Sequence, residues 1–298
     1  MVSNKAIFSA LLFSIFATPV MALNIFTCQP DWAALVKVHA PQANIFSATT
    51  AYQDPHFIQA RPSLIAQMRK ADLVICSGAE QEIGWLPELQ RQSRNSKVRT
   101  GSEGLFYVTD YVAMLDKRDN VDRVLGDVHA QGNPHVQFAI SDMLAVSKAL
   151  TLRLTSQDKK NASQYQKNGV KFQQQWQQSM LEWQQKAAPL KGKKVVGYHG
   201  TYRYLFAWLG IEQVADLEPK PGVSPTTAHL NSLANFNAQQ VYAIVYSTHQ
   251  SDKAANWLAK RTALPVVALA QSVGGTDQAL DIFSLIDSSI DALLAVQP

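Results

Sequence analysis

The chain is poor in cysteine, with two among 298 residues, and poor in charge, since Asp, Glu, Lys and Arg together make up only 17%. Two cysteines as far apart as Cys28 and Cys76 are neither a zinc ribbon nor a CxxC redox pair. A formal charge of +4, from 27 basic and 23 acidic residues, is too small and too dispersed to argue for nucleic acid or an anionic membrane surface. No HExxH, phosphate loop or nucleophile elbow is present, which removes the usual sequence supports for catalysis. Past the first twenty residues nothing has the roughly 20 consecutive apolar positions that a membrane span needs. What is there is an apolar fraction of 47%, enough to fill about two domain cores, and seven histidines whose positions carry more information than their number.

Lys5, the apolar run Ala6 to Ala17 and the small residues of Val20-Met21-Ala22 predict an export signal over residues 1–22, cleaved after Ala22. Pro19 interrupts a run already too short to span. The expected location is therefore the periplasm, where disulfides are permitted. Cys28 and Cys76 each fall near the end of a predicted strand, so a bridge depends on whether those strands bring the two Cα atoms close enough.

Short apolar runs alternate with helical patterns through the first half. Residues Asn24 to Cys28, Ala43 to Ser47 and Leu73 to Ser77 read as strands, with helices around Asp31 to Val38 and Ser63 to Lys70. A second set follows, with strands at Lys194 to Tyr198, Val241 to Ser247 and Pro265 to Ala268. Helices around Tyr202 to Leu209, Thr226 to Asn237, Ala254 to Thr262 and Ala279 to Ala295 separate them. This is an α/β pattern with parallel sheets, occurring twice. Between the sets, Lys159 to Ala187 has no proline, many glutamines and an apolar stripe of Tyr165, Phe172, Trp176, Met180 and Trp183 at helical spacing. It predicts one long amphipathic helix, ended by Pro189 and Gly192. The expected division is a lobe over 23–158, a linker helix over 159–188 and a second lobe over 189–298.

Three histidines stand where open α/β sheets put their clefts. His56 lies in Asp54-Pro55-His56, His135 in Gly132-Asn133-Pro134-His135, and His199 directly after the strand ending in Gly197-Tyr198. Neutral imidazole suits zinc, four ligands complete its tetrahedron, and proline beside two of these histidines restrains their backbone.

These motifs, with Arg61-Pro62-Ser63-Leu64, Ala71 through Gly78 and Pro221-Gly222-Val223-Ser224-Pro225, resemble zinc/manganese-specific ABC-transporter solute-binding proteins, in order and over nearly the whole mature chain. The resemblance implies two (βα) lobes joined by a rigid helix, with a divalent ion captured in the cleft between them and passed to a membrane permease. It also implies that His56, His135 and His199 are metal ligands, and that an Asp near the start of the last helix is the fourth, Asp281 being favoured over Asp277. Where the family commonly follows the second histidine with Trp-Leu-Asp-Pro, this chain has Gln137-Phe138-Ala139-Ile140.

Three imidazoles and one carboxylate favour zinc as cargo over manganese, whose sites take more oxygen. The expected partners are the cognate inner-membrane permease and, optionally, a periplasmic zinc chaperone, with the receptor acting as a monomer. In the loop from Lys117 to Gln131, His129 reads as a solvent-facing loop residue, the alternative being that it relays or transiently holds an ion. His39, His229 and His249 read as structural or surface residues. A zinc hydrolase is the enzymatic rival, and it needs an open coordination position and a general base.

Overall fold

The computed structural model describes residues 22–119, 121, 126, 128–235 and 240–296. The expected export signal up to Met21 lies outside the described residues. Strands β1 (Asn24–Thr27), β2 (Asn44–Ser47), β3 (Leu73–Cys76) and β4 (Leu105–Tyr107) form one sheet. Strands β5 (Lys194–Gly197), β6 (Glu212–Asp216), β7 (Ala243–Ser247) and β8 (Val266–Leu269) form another. The orders are β2-β1-β3-β4 and β6-β5-β7-β8, every pairing parallel, so the same topology occurs twice along the chain.

Parallel strands covered on both faces read as continuous apolar runs, and Leu73-Val74-Ile75-Cys76 is buried at every position. The two strands that the sequence patterns did not indicate have physical reasons to be silent. β4 has only three residues, and β6 is an edge strand, only partly buried, that carries Glu212, Gln213 and Asp216.

Helices α1 (Pro30–His39), α2 (Pro62–Lys70) and α3 (Leu86–Ser93) belong to the first set, and all three open with proline in the first turn. Helices α6 (Arg203–Leu209), α7 (Thr227–Ala234), α8 (Lys253–Thr262) and α9 (Ile282–Leu294) belong to the second. Between them, α4 (Met143–Gln157) runs into a short turn at Asp158 and then into α5 (Ala162–Lys186). Asp158 organises that turn, accepting from the Asn161 side chain at 2.6 Å and from the Tyr165 hydroxyl at 2.8 Å. No described helix is long and apolar enough to cross a membrane.

The apolar stripe of α5 packs against both sets of elements. Phe172 lies 5.0 Å from the His39 ring of α1, Trp176 donates its indole N–H to the Ile140 carbonyl at 2.8 Å, and Phe283 of α9 sits 5.3 and 5.1 Å from Phe172 and Trp176. Gly169 lets α4 and α5 approach, since a Cβ there would overlap Thr151 Oγ1. The lobes share one core, in which Ile25 and Leu73 of the first sheet and Val195 and Val245 of the second belong to the same packed cluster. Asp31 ties the lobes further, its buried carboxylate accepting from Ser272 Oγ at 2.6 Å and Val273 N–H at 2.9 Å. Burial raises the Asp31 pKa to about 6 against the opposing pull of those two bonds.

The adjacency of β1 and β3 resolves the cysteine question. Cys28 and Cys76 are bridged, with Cα atoms 4.8 Å apart, well inside the range a disulfide needs. The bond closes a sequence separation of 48 residues, for which loop-closure entropy predicts a stabilisation of about 4 kcal/mol. The paired Cys28→Ser and Cys76→Ser variant should show that loss in chemical denaturation, and reduction of the parent should move the midpoint the same way. Equal midpoints would contradict it.

Candidate metal centre

The two X-Pro-His motifs fold as one local device. In the first, Asp54 Oδ1 accepts from the His56 backbone N–H at 2.9 Å and pairs with His56 Nδ1 at 2.7 Å. In the second, Asn133 Oδ1 accepts from the His135 backbone N–H at 3.0 Å and pairs with His135 Nδ1 at 2.8 Å. Proline between the two residues fixes one backbone angle, so a single side-chain oxygen sets both the turn and the ring. The Trp85 indole N–H pins the first loop from below, donating to the Pro55 carbonyl at 2.8 Å. His199 reaches the same state differently, its Nδ1 pairing with Glu218 Oε2 at 2.7 Å while that oxygen also takes the Gly222 N–H at 3.0 Å.

Each of the three rings thus has Nδ1 engaged by an oxygen, which places the hydrogen there and leaves the Nε2 lone pair for a cation. The structure brings the three together: ring centroids are 5.8 Å apart for His56 and His135, and 5.2 Å for His135 and His199. They line an interlobe cavity of about 40 Å³ at the carboxyl ends of the strands. Asn133 joins its two sides, because its Nδ2 donates to the Gly200 carbonyl at 2.8 Å, next to His199. Burial first, and the neighbouring imidazoles second, hold His135 well below the ordinary histidine range, so that ring is neutral at physiological pH. For Asp54, burial pushes upward but the hydrogen bond and charge of His56 outweigh it, and the carboxyl ends below its usual value.

The favoured fourth ligand, Asp281, is not brought to this cavity. It is the exposed N-cap of α9, and its Oδ1 accepts from the Phe283 N–H at 2.9 Å and the Ser284 N–H at 2.8 Å, in a capping box with Ser284. An acidic residue just before an apolar helical run has that second meaning, and here it prevails. Asp277 is also exposed and does not line the cavity. The neutral amide of Gln271 does line it, together with Asp54 and Glu218, whose oxygens already hold His56 and His199.

Two other histidines join the cluster against expectation. His249, read as structural or surface, lines the cavity with a buried Nδ1 that has no hydrogen-bond partner among the described residues. Burial, opposed by the charge of Asp54 and aided by His199 and His56, brings its pKa down to about 4. The signal was available, since Thr248-His249 follows β7 as Tyr198-His199 follows β5. His129, read as solvent-facing, stacks on His56 with centroids 5.2 Å apart and Nε2 atoms 3.2 Å apart. His39 and His229 have structural partners: His39 is buried between the Leu35 carbonyl and Ser147, and His229 pairs with the Asp216 carbonyl. Elsewhere Cys28, Cys76 and buried Glu82 cluster within ligating distance of one another, but both sulfurs are consumed by the disulfide.

The oxygens that hold the rings should matter to metal affinity. Asp54→Ala is expected to weaken divalent-metal binding by about 10- to 100-fold. Asp54→Asn should retain most of it, because Asn133 already does the same work beside His135. Competition with a chelating dye measures both, and equal losses in the two variants would contradict the role given to Oδ1.

The family model for the zinc-uptake complex component A, periplasmic (ZnuA), matches residues 25–296. Among solved structures, a crystal structure of ZnuA superimposes with a TM-score of 0.76 at 17% identity, covering 92% of this chain and 100% of that one. The manganese-bound form of a periplasmic metal-binding protein from Candidatus Liberibacter asiaticus gives 0.73 at 18% identity, covering 91% of this chain and 97% of that one. The cadmium-bound protein from the same organism gives 0.72 at 17%, covering 91% and 97%. Among curated proteins, none matches the sequence closely enough to count.

Proposed function

The chain belongs to the family of periplasmic zinc-uptake component A, and from that premise we propose that it is the zinc receptor of an ABC importer, binding the ion between its lobes and delivering it to the membrane permease. The observation that carries this reading is the convergence of His56, His135 and His199, each held at Nδ1, on one small interlobe cavity. Size separates the cargo classes: about 40 Å³ suits an ion with a water or two, whereas an organic chelate or haem needs several hundred.

Donor chemistry supports zinc over manganese. Imidazole nitrogen suits zinc, copper and nickel, while manganese favours carboxylate, carbonyl and water oxygen. The oxygens nearest the rings are engaged as acceptors from Nδ1, which makes them orienting groups and raises the basicity of the imidazoles. The same engagement weakens the hydrolase reading. Asp54 and Glu218, the carboxylates lining the cavity, are each tied to a histidine and to a backbone N–H, leaving neither poised as a general base.

Capture and release then follow from ligand protonation and lobe contact. Neutral imidazoles bind the ion from both lobes at once, so the loaded cleft is favoured in its closed form. Metal-free protein should therefore melt at a higher temperature when zinc is added, because the ion binds only the native state. Acidification should weaken binding as protons compete for Nε2, from about pH 6.5 downward. The depressed pKa of His135 moves its share of that competition to lower pH. A melting curve indifferent to zinc, or equal affinities at pH 5 and 7.5, would contradict the reading.

A further inference from the structure

We propose that His129 supplies the fourth protein ligand, making the cleft a four-imidazole site. The inference rests on the reading of the cleft as a metal centre and goes on to name how its coordination sphere is completed. It starts from the distance between two like atoms. His56 carries its hydrogen on Nδ1, against Asp54, so its Nε2 presents a lone pair toward His129 Nε2, 3.2 Å away. Two nitrogens bound to one tetrahedral zinc at 2.0–2.1 Å stand about 3.3 Å apart, so the pair already has the spacing of one tetrahedral edge.

The ring positions carry the same measure. A ring nitrogen lies about 1.1 Å from the ring centre, which puts each bound imidazole centroid about 3.2 Å from zinc and two such centroids about 5.2 Å from each other. The observed separations run 5.2 Å for His129 and His56, 5.8 Å for His56 and His135, and 5.2 Å for His135 and His199. These are three of the six pairs that four rings make, a row with His129 at one end, and two of them match the tetrahedral value while the third is wider by half an ångström or so.

Chain geometry ties His129 to the second motif. The Gly132 N–H donates to the His129 carbonyl at 3.2 Å, and the next residue is Asn133, whose side chain orients His135. Gly132 has φ +113°, and a Cβ there would overlap the Leu115 carbonyl, so this turn requires glycine. The other nearby donors are less suited. Asp281 caps α9, Gln271 offers only an amide, and Asp54 and Glu218 each orient a ring. His249 is the remaining rival, as it lines the cavity of the three histidines, which His129 joins through the His56 ring.

The test compares His129→Gln, His249→Gln and His56→Gln with the parent, using zinc affinity by chelator competition and the visible spectrum of the cobalt(II)-loaded protein. The melting temperature of each metal-free variant serves as the folding control. The expected result is intense four-coordinate cobalt bands in the parent. His129→Gln should lose zinc affinity by about tenfold or more and its cobalt bands should weaken and shift, while His249→Gln leaves both unchanged. If His56→Gln loses binding but His129→Gln keeps the parent's affinity and spectrum, the inference is overturned and the metal-centre reading stands. Loss in His249→Gln with none in His129→Gln would transfer the role to His249. Parent-like binding in both His56→Gln and His129→Gln would overturn the metal-centre reading itself.

Discussion

Replacing His135 by Ala is expected to weaken zinc binding by more than a hundredfold, the largest effect of any single change in the cleft. Removing an oxygen that merely orients a ligand costs about 10- to 100-fold, and removing the ligand itself must cost more. His135 is the central ring, in contact with both His56 and His199, and only 4% of its surface is exposed, so no solvent-borne donor easily takes its place. The same substitution should barely disturb the fold, because burial already disfavours any charge on this ring and the hydrogen bond of its side chain runs to the neighbouring Asn133. The measurement is a zinc titration against a chelator, paired with the melting temperature of the metal-free form. Retained affinity would remove His135 from the site, and a collapsed melting temperature would show that its role is structural.

Trp176→Ala should have the largest effect on stability, about 3–5 kcal/mol. The side chain is fully buried and stacks on Phe172 at 5.5 Å. It meets Trp183 and Phe283 edge-on at 5.2 and 5.1 Å, and holds the Ile140 carbonyl, which would be left without that donor. Because α5 contributes to a core that both sheets share, the loss should appear in one cooperative unfolding transition. Trp176→Phe should recover much of it by restoring the ring. Two separated transitions, or a change below about 1 kcal/mol, would contradict a single core built around the linker helix.

What the sequence made legible follows from how each signal arises. The parallel sheets were readable because strands covered on both faces leave unbroken apolar runs such as Leu73 to Cys76, and α5 because its aromatic stripe keeps helical phase against two neighbours. β4 and β6 left no such trace, being too short and too polar at the edge, and α3 shows an apolar pattern of only eight residues.

At the site, His56, His135 and His199 were marked by local grammar: an Asx-Pro-His turn twice, and a histidine directly after a strand once. The place of Asp281 was not legible, because an acidic residue before an apolar helix reads equally as a ligand or as an N-cap, and only the hydrogen bonds distinguish the two. His129 could be found only through the tertiary fold, being 73 residues from its partner His56, whereas His249 carried the same signal as His199, a histidine just past the end of a strand.

X-ray absorption at the zinc edge of the protein loaded with one equivalent of zinc tests the central claim most directly. The account predicts a first shell of nitrogen at about 2.0–2.1 Å with the outer-shell scattering of imidazole rings. A first shell dominated by oxygen without that imidazole scattering, or zinc that washes off before one equivalent is bound, would contradict it.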